Sequence, residues 1–467
     1  MRGEPDVLAN LRSELGDARV WLDRVVVIGF AVLAGLVVVL FALLADGAFD
    51  LFLAARAEHP WMPLLWTPLV TAAVVWTTQR WFPAAAGSGI PQVCAVLDRD
   101  APPAAQSRLV TLRLALAKVG LVTAGLAGGL SIGRQGPSVQ VAAGVMLQAR
   151  RWLSPRSGVS DRDLVLAGGA AGIAASFNTP LGGIVFAIEE LSRRAEYRGS
   201  GLMLAAIVAA GLVAVSALGN LSYFGRVQVA ALSWWDLLPP GALVALASGA
   251  LGGLLARLLI VSFTGLPDRF CALRRRHPVR FAAGCGFAVA LICWVTQGAA
   301  VGGGHHHTQE LLRADMAGGG THLFGLVTLL KLVSTWLSTW SGAPGGILGP
   351  SLSLGASLGA DVAQLLESPH APALIALGMA GCLAAVTQAP ITAMIIVMEM
   401  TDGHAMVLSL MACAMLASGL SRLISRPLFP TLADQMLLAL RPPPAPPDAA
   451  AGAPAMAEPT PTPATPR

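Results

Sequence analysis

Charge is scarce in this sequence. Of its 467 residues, 12% are charged and 55% are hydrophobic, whereas about 25% of the residues of a typical soluble protein are charged. The mean hydropathy is +0.67. The run from Val25 to Ala45 contains neither a charged residue nor a proline, and it is long enough to cross the hydrocarbon core of a bilayer. These features exclude a soluble globular protein and predict an all-α protein that spans the membrane several times.

Other residue types are rare or lack a functional pattern. The net charge is only +5, which provides no basic face for a nucleic acid. The cysteines have neither paired nor metal-ligand spacing, so we predict buried free thiols and no metal site. They are Cys94, Cys271, Cys285, Cys293, Cys382 and Cys413.

The apolar segments also lack the residue groups of an intramembrane enzyme. A hydrolase inside the bilayer needs a nucleophile with a base, or a metal pair. No Ser/His pair, Asp/Asp pair or HExxH motif occurs inside these segments. The sequence therefore indicates a transport protein rather than an enzyme, and it implies no cofactor.

Lysine occurs only twice, and the two lysines mark an internal repeat. Adding 213 to five residue numbers in the first half gives the same residue types in the second half: Lys118, Gly133, Gly136, Pro137 and Ser138 become Lys331, Gly346, Gly349, Pro350 and Ser351. Farther along, Pro180 and Glu189 recur 210 residues later as Pro390 and Glu399. Two halves of the chain therefore follow one plan.

The repeat divides the chain into five segments. We predict an amphipathic cytoplasmic segment at 1–24, a first membrane repeat at 25–219, a linker at 220–239, a second membrane repeat at 240–438 and a disordered Pro/Ala-rich cytoplasmic tail at 439–467. The arginine cluster between Arg269 and Arg280 should face the cytoplasm. Without a cleavable signal peptide, the chain suits a bacterial inner membrane with both termini in the cytoplasm.

Glycine and proline interrupt the apolar runs at matching places in the two halves. The interruptions fall at 87–91, 133–137, 178–180, 342–350 and 388–390. At membrane depth, a broken helix is tolerated only where protein covers it or where it lines a polar cavity. The N–H groups at a helix N-terminus attract an anion. We therefore predict helix starts after Ser88, after Gly133, near Gly346 and near Phe429, converging on a small, weakly held anion.

Several segments resemble the CLC family of chloride channels and chloride/proton antiporters. Residues 87–91 match the family's GSGIP, 133–137 resemble its G-[KR]-E-G-P, and 345–350 resemble its GGIFAP-type loop. Segments 180–190 and 388–402 also read as family sequence, so the resemblance covers roughly residues 25 to 438. It implies an inverted repeat of about eighteen tilted and partial helices with broken helices at a central anion site. It also implies a lipid-embedded homodimer in which each subunit has its own chloride pathway.

The resemblance places seven residues beside the anion: Gly87, Ser88, Gly89, Gly346, Ile347, Leu348 and Phe429. Ser88 would contribute its hydroxyl, and Ile347 and Leu348 their backbone N–H groups. Serine at this place is usual in chloride-preferring members, whereas nitrate-preferring members tend to carry proline. Phe429 stands where many members have a tyrosine whose hydroxyl contacts the anion, so one hydrogen-bond donor is lost.

The family's gating glutamate falls at Gln135, in the loop that also contains Gly133, Arg134 and Gly136. Glutamine cannot ionise and is nearly isosteric with a protonated carboxylic acid. It should therefore act as an unblocked gate at every pH. The family's inner proton glutamate remains, as Glu190.

An exchanger needs a proton acceptor at both ends of its pathway, and this chain retains only the inner one, Glu190. Passive, uncoupled chloride conduction is therefore favoured. The alternative is a chloride/proton antiporter that retains coupling through Glu190, with Glu189 beside it, and another group or water.

Three groups of residues have competing interpretations. Lys118 either raises the local anion concentration or pairs with carbonyls or a carboxylate. Glu189 and Glu399 share the repeat, and a matched pair of acids favours a structural device. Residues 305–307 are three consecutive histidines, which cannot all face one metal ion. They are better explained as a solvated loop or a pH-sensitive surface.

Overall fold

The computed structural model of the protein describes residues 18–102, 104–155, 157–192, 201–219, 224, 234–265, 269–316 and 325–440. Most of the predicted segment 1–24, much of the linker 220–239 and nearly all of the tail 439–467 lie outside these residues. Helices dominate the described chain, and its only extended pairing consists of two isolated β-bridges.

The described residues of the first half form nine α-helices. They are α1 Ala18–Glu58, α2 Met62–Trp81, α3 Ile90–Leu97, α4 Ala104–Leu109, α5 Leu112–Ala127, α6 Gln135–Met146, α7 Asp161–Phe177, α8 Pro180–Phe186 and α9 Gly201–Leu218. A π-helical segment, Ala187–Leu191, continues α8.

The described residues of the second half form ten more, which brings the total close to the predicted number. They are α10 Trp234–Thr264, α11 Arg269–Arg276, α12 Pro278–Val295, α13 His305–Met316, α14 Leu326–Trp340, α15 Leu348–Leu365, α16 Ala371–Thr387, α17 Pro390–Thr401, α18 Val407–Ile424 and α19 Leu428–Leu440.

Within the described residues, five helical stretches are long and apolar enough to cross a membrane: Arg19–Glu58, Ala105–Ala127, Leu237–Thr264, Pro278–Val295 and His404–Ile424. The first of them runs well past the predicted end at Ala45 and has no break at residue 24. It continues because Phe49 and Phe52 beyond Ala45 are buried in an apolar cluster. At the other boundary, α10 begins at Trp234, so the last residues of the predicted linker are helical.

The short helices begin and end at equivalent places in the two halves. Asn178 ends α7 with φ 59°, and Gln388 ends α16 with φ 56°. This left-handed conformation stops a helix at its C-terminus. Pro180 and Pro390 then start α8 and α17, because proline fits the first helical turn without losing a hydrogen bond. The sequence interruptions at 178–180 and 388–390 are therefore confirmed as helix boundaries.

Glycines bring neighbouring helices into backbone contact. A Cβ on Gly172 of α7 would overlap the carbonyl oxygen of Ser138 in α6. In the second half, a Cβ on Gly355 of α15 would overlap the carbonyl oxygen of Gly378 in α16. Small residues permit this approach, which drives helix association where lipid offers no hydrophobic force. The pairs α6/α7 and α15/α16 hold the loops that precede α6 and α15.

Each repeat caps a short helix of the other repeat. The carboxylate of Glu189 accepts hydrogen bonds from the N–H groups of Ile391 (3.2 Å) and Thr392 (2.6 Å) in α17. The carboxylate of Glu399 in α17 accepts them from Leu181 (3.2 Å) and Gly182 (2.7 Å) in α8. These crossed caps satisfy helix N–H groups and place a negative charge at each positive helix end. Such reciprocal contacts are expected when a two-fold axis relates the two repeats.

The crossed caps predict a paired stability effect. Replacing Glu189 or Glu399 by glutamine removes the charge and half of the acceptors, and hydrogen bonds to charged groups contribute about 1.5–3 kcal/mol. We expect each variant to lower the thermal unfolding midpoint in detergent by a few degrees, and by similar amounts. Glu58→Gln, at the exposed end of α1, is the control and should leave the midpoint unchanged. An unaltered midpoint in Glu189→Gln would contradict the capping role.

Candidate anion site

Three interrupted loops meet at the start of three helices. The N–H of Gly133 donates to the carbonyl of Gly346, and the N–H of Gly346 donates to the carbonyl of Gly133, each over 2.7 Å. The N–H of Gly345 donates to the carbonyl of Gly87 over 3.1 Å. Because these loops lead directly into α3, α6 and α15, the N-termini of the three helices lie together. The predicted convergence of helix starts is thus found in the structure.

Only glycine fits at the closest points of this junction. A Cβ on Gly346 would lie 2.8 Å from the backbone nitrogen of Gly136. A Cβ on Gly136 would overlap the hydroxyl oxygen of Ser88. Gly89, with φ 106°, adopts a conformation that side-chain-bearing residues rarely take. Glycine is required here for close approach in the first two cases and for backbone geometry in the third.

Ser88 is 8% exposed at the junction. Its hydroxyl has no hydrogen-bond partner among the residues that the structure describes. A buried hydroxyl without a partner is costly in a protein interior unless a ligand or water satisfies it. Gln92 holds the loop around it: its side chain accepts from the N–H of Gly89 (3.0 Å) and donates to the carbonyl of Ala86 (2.6 Å).

The second repeat contributes the start of α15. Ile347 precedes the helix and Leu348 begins it, and both are buried. The first N–H groups of a helix have no intrahelical acceptor. Ser351 donates its hydroxyl to the carbonyl of Ile347 over 2.7 Å, and the equivalent Ser138 donates to the carbonyl of Arg134 over 2.9 Å. The two loops therefore have the same local construction.

Phe429 lies on the second residue of α19 and is fully buried. It belongs to the same apolar cluster as Ile90, Ile347 and Leu348, and α19 packs against α3. The predicted helix start near Phe429 is therefore confirmed. Its ring adds apolar surface and no hydrogen-bond donor.

Gln135 begins α6 and is 4% exposed. Its side-chain oxygen has no hydrogen-bond partner in the described part of the chain. A Cβ on Gly133 would lie 2.5 Å from this oxygen, and one on Gly349 would lie 2.8 Å from it. The amide thus fills space that glycines of both repeats leave free. A cavity of about 20 Å³ adjoins it, which is slightly more than one water molecule needs.

Arg134 is held away from the helix start by an ion pair. Its guanidinium contacts both carboxylate oxygens of Asp46 in α1, over 3.1 and 3.0 Å, and donates to the carbonyl of Ser176 over 3.3 Å. Arg134 is 5% exposed, whereas Asp46 is 41% exposed. This bidentate geometry anchors the loop before α6 to α1.

The two predicted proton residues have different surroundings. Glu190 is 3% exposed and lies in the π-helical segment, which packs against α3 and α7. A π-helical turn is rare and is frequent at functional sites. Glu189 is half-buried and directs its carboxylate to α17, as described above. The segment that contains Glu190 therefore packs against α3, and Glu189 has the contacts of a helix cap.

The two lysines hold loop carbonyls. Lys118 is fully buried, and its ammonium donates to the carbonyls of Ala85 (2.8 Å) and Gly87 (2.7 Å) just before Ser88. Lys331 is equally buried and donates to the carbonyls of Val301 (3.1 Å) and Gly302 (2.9 Å). Of the two interpretations of Lys118, these contacts match pairing with carbonyls. Through them Lys118 fixes the position of the loop that presents Ser88.

The three histidines form the first turn of α13, so the solvated-loop interpretation is wrong. Two of the histidine side chains have partners on other helices. His306 pairs with Asp50 of α1 over 2.8 Å, and the ring of buried His307 is 3.0 Å from the hydroxyl of Ser357. His305 and His306 line the cavity beside Gln135.

Motif reading missed Asp46 and Asp50. They are the only charged residues between Arg24 and Arg56 of a long apolar helix. Charges in such a segment usually mark a polar partner or pathway, and this signal was available in the sequence. All six cysteines are free and buried, as predicted.

Comparison with known proteins identifies relatives along most of the chain. The family model described as voltage gated chloride channel matches residues 69–422. The H(+)/Cl(−) exchange transporter ClcA of Cronobacter sakazakii is 28% identical over 422 residues, which cover 82% of this chain and 83% of that protein. Chloride channel protein 1 of Rattus norvegicus is 36% identical over 115 residues, 24% of this chain and 11% of that protein.

Solved structures share the arrangement of helices. A slow cyanobacterial Cl⁻/H⁺ antiporter has a TM-score of 0.73 at 21% identity, covering 90% of this chain and 98% of its own. A CLC-type fluoride/proton antiporter has a TM-score of 0.69 at 23% identity, covering 88% and 97%. At these identities the likeness shows the fold alone, and it confirms the predicted fold class. Because the family model matches more than half of its residues, the chain is an integral membrane protein that belongs to the CLC, or voltage-gated chloride channel, family.

Proposed function

We propose that this protein is a passive, uncoupled pathway for chloride. The observation that carries the proposal is Gln135 at the N-terminus of α6, buried where the loops of both repeats meet. A side chain at this place lies among helix N–H groups that favour negative charge. Glutamine cannot become an anion that competes with chloride there, nor can it exchange a proton.

The surroundings support a small anion as the transported species. The helix starts of α3, α6 and α15 supply N–H groups, Ser88 supplies a buried hydroxyl, and the two buried lysines are occupied by carbonyls. Partial charges without a free cation hold an anion weakly, which suits rapid passage. Chloride is the preferred candidate because relatives are named chloride channels and H(+)/Cl(−) exchangers.

The proposal includes the setting in which the pathway works. The protein acts as a transporter without enzymatic activity or cofactor, as a homodimer in the lipid of a bacterial inner membrane, with both termini in the cytoplasm. Each subunit has its own pathway.

Chloride/proton antiport is the second candidate. It is favoured by Glu190, which is 3% exposed in the π-helical segment beside α3. In this alternative, Glu190 accepts protons at one end of the pathway, and another group or water replaces the carboxylate that is missing at position 135.

Simultaneous flux measurements distinguish the two candidates. Purified protein is placed in chloride-loaded liposomes, a potassium ionophore sets the voltage, and external chloride and pH are followed together. We expect chloride efflux without a proton signal. Proton movement in a fixed ratio to chloride, driven against a proton gradient, would exclude the passive mechanism.

Replacing Gln135 by glutamate should introduce a pH-dependent block. An ionised carboxylate at the N-terminus of α6 accepts charge-assisted hydrogen bonds worth about 1.5–3 kcal/mol, so chloride flux at neutral pH should fall by roughly tenfold or more. Protonation at acidic pH should restore it. Gln148→Glu adds the same charge just beyond α6, where Gln148 is half-buried, and should block nothing. Unchanged flux in Gln135→Glu would show that position 135 is not a gate.

Replacing Ser88 by proline should shift anion preference from chloride toward nitrate. Proline removes both the hydroxyl and the backbone N–H, and chloride loses more from missing donors than the larger, more weakly hydrated nitrate. The chloride/nitrate permeability ratio under bi-ionic conditions measures this. A ratio that stays at the wild-type value in a folded variant would place the anion away from Ser88.

A further inference from the structure

Two acidic residues of α1 form two ion pairs beside Gln135. Asp46 and Asp50 are one helical turn apart and therefore lie on one face of α1. Asp46 pairs with Arg134 over 3.0 Å, and Asp50 pairs with His306 over 2.8 Å. The ring centroid of Phe49 lies 5.9 Å from that of His306.

Members of both pairs line the cavity that adjoins Gln135. Asp46, Arg134, His305 and His306 all line it. His306 is 40% exposed and Asp50 is 56% exposed, so the pair lies at the surface of the subunit. An anion that approaches Gln135 by way of this cavity, hereafter the entrance, passes the charges of both pairs.

The net charge of the entrance changes when the imidazole of His306 binds a proton. The two carboxylates and the guanidinium of Arg134 sum to one negative charge when His306 is neutral, and to zero when His306 is protonated. Histidine is the side chain whose charge ordinarily changes between about pH 5 and 8. Gln135 itself has no titrating group.

Other charged and titratable groups face this region from the neighbouring elements. His305 contacts His306, with ring centroids 5.8 Å apart. Lys331 of α14 lies 3.6 Å from the Cβ position of Gly304 and is bonded to loop carbonyls. Glu310 lies one turn farther along α13 and is exposed, and Arg56 near the end of α1 lies beside Gly298. His306 pairs directly with the carboxylate of Asp50 over 2.8 Å.

We propose that the His306–Asp50 pair is a proton-binding site that controls the entrance, so that protonation of His306 removes its negative charge and increases anion flux. The inference rests on the proposed function, because it assigns regulation to the same pathway. Unlike a proton that is exchanged for chloride, this bound proton stays at the entrance and is not carried across the membrane.

The expected effect is modest and screened by salt. One unit charge at a distance of about 7 Å in a water-like dielectric changes the local anion concentration by roughly threefold. Chloride flux should therefore rise about threefold as the pH on the entrance side falls from 8 to 5, and the change should shrink in high salt. The pH on the opposite side should have no such effect.

Two variants of His306 separate charge from structure. His306→Gln is neutral at every pH, so flux should stay at the low level and lose its pH response. His306→Arg is charged at every pH, so flux should stay at the high level, which a misfolded protein could not produce. Asp50→Asn removes one carboxylate and should raise flux at pH 8 toward the acidic value.

A second histidine–aspartate pair provides the matched control. His404 lies 3.6 Å from Asp402 and does not line the entrance, so His404→Gln should keep the wild-type pH response. All variants are assayed in liposomes with the pH changed on one side at a time.

Two results would overturn the inference while leaving the proposed function intact. They are a wild-type pH response in His306→Gln, and a wild-type flux at pH 8 in His306→Arg. The absence of chloride flux from the wild-type protein at every pH would instead overturn the proposed function, and the inference with it.

Discussion

The structure depends on the pair of backbone hydrogen bonds between Gly133 and Gly346. These residues are equivalent in the two repeats, and each donates to the other, so the bonds lie where a two-fold axis relates the halves. Everything proposed for the anion follows from this junction, because it brings the N-terminus of α6 to that of α15. A side chain on Gly346 would push the two loops apart and would separate the helix ends on which anion binding depends.

Broken helices inside a membrane leave polar backbone groups that must find partners. In the described part of this protein, several of these groups hold another segment in place. The carbonyl of Gly87 accepts from both Lys118 and Gly345, and the starts of α8 and α17 are capped by Glu399 and Glu189. The starts of α3, α6 and α15 meet beside a buried hydroxyl, that of Ser88, and a buried amide that cannot ionise, that of Gln135.

Local features of the chain could be predicted from the sequence. Glycine and proline act within a few residues, so the helix starts at Ile90, Gln135 and Leu348 were predictable. Contacts between distant residues were not predictable. The separation of 210 residues shows that Glu189 and Glu399 are equivalent in the two repeats, but it does not show which N–H groups each carboxylate contacts. The same limit applies to residues 305–307: a run of histidines reads as a solvated loop until Asp50 and Ser357, far away in sequence, supply partners for a helix.

The crossed caps have a consequence for biosynthesis. When the first half of the chain enters the bilayer, the N-terminus of α8 is still without the carboxylate of Glu399, which is translated about 200 residues later. Likewise, Glu189 can cap α17 only after α17 has been translated. Neither half can form these hydrogen bonds alone, so the caps form only after both halves have been inserted. A ribosome that stops between them leaves a membrane-inserted fragment with uncapped helix ends, which cellular quality control can recognise as unfinished.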